Sequence, residues 1–358
     1  MGWIGGMCTL ALMAAITWYT SLLLCNLTVI DNVRQRTYME AVYTLFGRNG
    51  SIAIGIFQYV NLVLSGLAYA ITAGQSIANV AELTCSSTST SYICSGELWI
   101  FVCMFGACCL VLSYLPNLDS VWWVSIIGAL CSFFYSFVVV GYSADQIADS
   151  GAQTEDTIGG IQSTPANKAF SILNAMGAVV FAYSFSFILV EIADTIKTDH
   201  HGPVWHIRRS THVGMTTITT FYFLVSILGY LAFGNTLFNC GDILNCFSTP
   251  KGPLIAANIA VVFHLLPAFQ VFSQPVFALA DKHLPAKMPG TFWKRKHPFR
   301  FLFRSLYVLI LTFLACLMPF FNDIVGLVGA IGFYVSGFTI GNDEVSIYLQ
   351  IYPPLTSL

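Results

Sequence analysis

Nine stretches of this 358-residue chain run without a single Asp, Glu, Lys or Arg: 3–28, 51–81, 98–118, 120–144, 169–190, 213–241, 252–280, 305–322 and 324–342. An α-helix rises about 1.5 Å per residue, so roughly 20 such residues cross the hydrocarbon core of a bilayer. The pattern predicts eight spans and a weaker ninth, within a membrane domain over 1–342 followed by a short tail over 343–358. A multipass all-α membrane protein is the fold class that follows.

Only 9% of the residues are charged and mean hydropathy is +0.73. A water-soluble surface needs about 25%. With 15 basic against 17 acidic side chains, no basic field exists to hold nucleic acid. The 11 cysteines lack the paired spacing of a zinc module, and no metal site is expected. The first run is too long for a signal-peptide core, and Gly6 stands where a myristoylation motif wants Ser or Thr.

All basic residues except Lys168 and Lys251 fall in three loops, 31–50, 197–212 and 281–304. Placing these loops in the cytoplasm puts the amino terminus outside. The Ser/Thr-rich 84–96 stretch and the acidic 145–167 stretch then face outward, where Cys85 with Cys94, and Cys240 with Cys246, either pair or remain thiols. The sequons at Asn26 and Asn49 fall inside and should stay bare.

Polar groups within the runs require partners or a cavity. Gln58, Asn61, Ser65, Thr72 and Gln75 keep to one helical face, as a pathway or an interhelical seam would. The segment from Gly177 to Thr195, GAVVFAYSFSFILVEIADT, places Ala182, Tyr183, Ser184 and Ser186 between aromatics, with Glu191 and Asp194 near its inner end. It reads either as a continuous helix with a serine contact or as a helix unwound around a solute. The carboxylates are candidates for proton coupling or for pairing with Lys197. His264, in the same run as Pro267 and Pro275, is a proton carrier or a histidine bonded to a neighbouring helix; it lies about 120° around the helix from Gln270. His200, His201, His206 and His212 belong to a solvated loop. No nucleophile elbow, Walker loop or HExxH helix is present, and no enzyme is expected.

Several blocks in fixed order are familiar: GWIGG (2–6), WYTSLLL (18–24), RTYMEAV (36–42), QYVNLVLSGLAYAITAG (58–74), FAYSFSFILVEIADT (181–195), AFQVFSQPVFA (268–278) and MPFFNDIVGLVGAIGFY (318–334). Over about 2–334 the chain resembles the plant-type amino acid permeases of the amino acid/auxin permease family. The resemblance implies a five-plus-five inverted-repeat transporter whose first and sixth helices are broken and clasp an amino acid. It also implies proton-driven symport, alternating access and a plasma-membrane location, with no cofactor beyond the proton. The first run becomes the family's second helix, the fifth its sixth and the eighth its ninth. Phe181, Ala182, Tyr183, Ser184 and Ser186 then fall on the broken sixth helix, Asn61 and Tyr69 on the third, and Gln270 on the eighth, as substrate-lining candidates. Glu191 matches the acidic residue past the break and, with His264, is the gate or coupling candidate.

Two departures qualify this. GWIGG follows the family's first broken helix, and after Tyr334 the tenth helix is altered and the eleventh missing. The expectation is a transporter sequence incomplete at both ends or, alternatively, a non-transporting relative that partners a full-length permease or senses nutrients.

Overall fold

The computed structural model describes residues 1–85, 96–114, 122–153, 159–161, 163–197, 200, 202–283, 297–318, 325–326 and 328–329. Most of the ninth run and the whole tail lie outside the described residues. The chain folds as two compact units: Met1–Leu62 with Ile158–Phe223 and Asn322–Leu358, and Val63–Thr157 with Leu224–Phe321. Among the described residues six helices are long and apolar enough to cross a membrane, seven if one bent pair forms a single span.

In the first unit, α1 (Gly2–Asn26) leads into a two-residue hairpin, β1 (Val29–Ile30) and β2 (Val33–Arg34), paired Val29 to Arg34. Asp31 and Asn32 take φ of 50° and 62°. Positive φ at both central positions matches the right-handed twist of the strands, and short polar side chains tolerate it best. The hairpin delivers the chain to α2 (Tyr38–Thr84), which kinks at Gly47 (φ 65°) and continues into the second unit.

The second unit holds α3 (Leu98–Leu112) and α4 (Trp122–Ser150). The first unit resumes with α5 (Pro165–Ala182), a 3₁₀ turn (Ser184–Ile188), α6 (Leu189–Thr195) and the start of α7 (Gly202–Phe233). A short α8 (Leu237–Cys240), α9 (Lys251–His283) and α10 (His297–Leu317) complete the second. Where the run 98–118 predicts a full span, α3 ends after 15 residues in a turn at Ser113 and Tyr114, ahead of Pro116. The residue preceding a proline disfavours helical dihedrals, which shortens the helix from its C-terminal side.

Packing in the second unit rests on small residues and a few amides. A Cβ on Gly128 of α4 would strike Pro267 of α9, so the two backbones meet closely, and His264 Nδ1 lies 3.0 Å from the Gly128 carbonyl. Gln270, fully buried, donates to Cys109 O (2.9 Å) and accepts from Ser113 Oγ (3.3 Å), tying α9 to α3. Interhelical bonds in membranes average about 0.6 kcal/mol each. Gln270→Leu, which keeps the volume and deletes both bonds, should therefore destabilise the purified protein by about 1 kcal/mol in a thermal melt. Cys240 and Cys246 form a disulfide with Cα atoms 5.3 Å apart; Cys85 is also disulfide-bonded, and its expected partner Cys94 lies outside the described residues.

Candidate functional site

The helix that begins at Pro165 does not continue unbroken. Tyr183 (φ −103°, ψ 15°) and Ile188 (φ −117°, ψ 4°) leave helical dihedrals, the residues between them form a 3₁₀ turn, and α5 and α6 meet at a 45° bend. Bulky aromatics alternate with serines here, and serine hydroxyls compete for backbone bonds that a regular helix would make. The carbonyls released at the bend find side-chain donors. Tyr222 Oη donates to Ala182 O (2.9 Å), and Gln58 Nε2 donates to Phe187 O (2.8 Å).

Beside the break lies a cavity of about 20 Å³. That is room for about one water. Tyr183, Ser184, Ser186 and Phe187 line one side; Met13, Ile16, Thr17 and Thr20 of α1 line the other, with Val180 and Gly329 closing it. Offsets of 3, 4 and 7 from Met13 place the four α1 residues on one helical face. Tyr183 itself is 1% exposed. Its ring packs with Leu10, Met13, Ala14 and Met215 and meets Tyr222 edge-on at 5.2 Å, while its hydroxyl faces Thr219 without the alignment of a hydrogen bond.

One turn beyond the break, Glu191 is buried inside the protein. Its Oε1 accepts the backbone N–H of Tyr38 (3.1 Å), at the start of α2, and Gln58 Nε2 (3.3 Å); its Oε2 has no hydrogen-bond partner among the described residues. Gln58 therefore bridges the loosened Phe187 carbonyl to the carboxylate. One oxygen of this acid is held by two donors, and the other is able to take a proton.

The remaining candidates are spread through both units. Asp194 pairs with Arg34 (3.5 Å) rather than with Lys197, because the hairpin turn carries the guanidinium to the end of α6. Phe181 and Ala182 precede the bend on α5 and do not line the cavity; Ala182 is exposed. Asn61 is buried and donates to Val328 O (3.0 Å), a structural tie within the first unit. Tyr69 and Gln270 belong to the second unit, where Tyr69 packs edge-on against Phe272 and the Gln270 amide is engaged at both ends by α3. His264 adopts the interhelical alternative, bonded to Gly128 O and packed against Tyr135. The α1 face escaped the sequence reading because its run is apolar on every side; Thr17 and Thr20 were its only polar marks.

The family described as Transmembrane amino acid transporter protein matches residues 1–340. Amino acid permease 4 and Amino acid permease 8 of Arabidopsis thaliana are each 33% identical over 93% of this chain, and the matches cover 76% and 75% of those proteins. Lysine histidine transporter-like 1, from the same plant, is 28% identical over 99% of the chain and is itself covered over 75%. A helix interrupted beside a small hollow, repeated apolar spans and a match along nearly the whole sequence agree: the chain belongs to the transmembrane amino acid transporter family, whose members are transporters rather than enzymes.

Proposed function

We propose that this protein carries amino acids across the plasma membrane together with protons, by alternating access around the interrupted helix. The observation that carries the reading is the break at Tyr183–Ile188, where the buried Ser184 and Ser186 border a hollow shared with α1. Irregular backbone at membrane depth is tolerated where it lines a cavity, and the ends of half-helices suit the ammonium and carboxylate of a zwitterion. A hollow that holds one water must widen before an amino acid enters, so α1 and the break have to part during the cycle. Glu191, anchored one turn away through Gln58, is the proton carrier in this reading.

In cells lacking their own amino acid uptake, the protein should accumulate radiolabelled amino acids faster from acidic than from neutral medium, and a protonophore should collapse the difference. Thr17→Leu, which fills the hollow from α1, should cut uptake about tenfold or more at unchanged surface abundance. Equal uptake by cells with and without the surface-expressed protein would end the transport reading.

A further inference from the structure

The hairpin between α1 and α2 reaches the far end of the broken helix. Arg34 donates from Nη2 to Ala193 O (2.6 Å) and to Ile196 O (3.1 Å), and its Nε sits 3.5 Å from Asp194 Oδ1. Residue 196 is extended and ends α6; the last turn closes with the Ile196 N–H on Ala193 O (3.2 Å), and the carbonyls of Ala193 and Ile196 lie at the helix terminus. A guanidinium with several fixed donors is suited to collect both, and a cation is favoured at a helix C-terminus. The other edge of the same short helix is held from the same loop, through the Tyr38 N–H to Glu191 contact. Seven residues of helix are thus gripped at two points by the segment 34–38.

We propose that Arg34 is a positioning residue for transport: it clamps the inner half of the broken helix against the α1–α2 loop, and release of this clamp opens the cavity to the cytoplasm. The proposal rests on the transport reading and on the cytoplasmic placement of the 31–50 loop. It assigns the holding force to the two carbonyl contacts. The Asp194 pair is about one third exposed on both partners and contributes little, as solvent-exposed pairs do. Arg34 was visible in the sequence only as one of the basic loop residues.

The test uses Thr20→Cys, at the cavity wall, as a reporter in reconstituted full-length protein. A membrane-impermeant thiol reagent is applied to inside-out and to right-side-out vesicles, and labelling of the peptide containing position 20 is quantified by mass spectrometry. Arg34→Ala should raise labelling from the cytoplasmic face about fivefold or more and leave the outer face unchanged. Arg34→Lys, which keeps the charge but loses the fork, should behave like Arg34→Ala, whereas Asp194→Asn should match the parent. Unchanged inner labelling in Arg34→Lys, equal increases on both faces, or an effect of Asp194→Asn as large as that of Arg34→Lys would each overturn the proposal. Labelling does not require turnover. A sidedness shift in a protein that shows no uptake would therefore sustain the clamp while removing the transport reading.

Discussion

Glu191→Gln is expected to leave the protein folded and to abolish its response to a proton gradient. Glutamine keeps an oxygen where Oε1 accepts the Tyr38 N–H and the Gln58 amide, so the contacts joining α6 to α2 survive. What it removes is the bare second oxygen, which has no hydrogen-bond partner and is the place for a proton to land. Uptake from acidic medium should fall to the neutral-medium rate, a loss of about tenfold or more if coupling supplies at least 1.4 kcal/mol of drive. Exchange of labelled for unlabelled amino acid at equal pH, which needs no net proton movement, should persist. Glu191→Ala should fail differently. It strips the acceptor from two buried donors, each costing about 1–3 kcal/mol when left unpaired, and so lowers thermal stability as well as uptake. A pH-dependent uptake in Glu191→Gln equal to that of the parent would move proton coupling to another group.

The membrane architecture was legible because the bilayer imposes a length and forbids charge, and both rules are local. The runs 3–28, 120–144 and 252–280 correspond to α1, α4 and α9 within a few residues at most ends. An interruption was legible only through resemblance, which set it at 181–186; it falls at 183–188. Composition alone favoured a continuous helix, since serines and aromatics also pack between helices. Site membership was less legible still. Gln58 stood out as part of a polar stripe, yet its role depends on Phe187 and Glu191, which lie more than a hundred residues away. The stripe also divides: Gln58 and Asn61 serve the first unit, while Thr72 bonds its own helix at Ala68 O in the second. Gln270 and His264 stood out as polar residues inside apolar runs, and each meets a backbone carbonyl of another helix, Cys109 O and Gly128 O, that no local rule could name.

Glycine substitutions should separate the places where backbones touch from the places where glycine is incidental. On α5, a Cβ at Gly177 would fall inside contact distance of the Gly326 carbonyl and Cα, and a Cβ at Gly329 would meet the Gly177 carbonyl in turn. Three glycines thus let α5 and the 325–329 segment approach backbone to backbone just ahead of the break, the close packing that small residues permit in membranes. Backbone cannot yield as a flexible side chain can. Gly177→Ala should destabilise by about 1–3 kcal/mol, and Gly177→Leu should leave little folded protein in gel filtration. Because Gly329 also lines the cavity, the damage should reach uptake even in the milder variant. Gly214 on α7 supplies the contrast, since nothing lies within 4 Å of a Cβ placed there. Gly214→Ala should be neutral or stabilising by up to about 1 kcal/mol, the helix propensity that alanine adds. The two Gly→Ala variants differ by one methyl group each and are expected to shift the melting temperature in opposite directions. Equal shifts would mean that α5 and the 325–329 segment do not pack backbone to backbone, and with them would go the wall that closes the hollow.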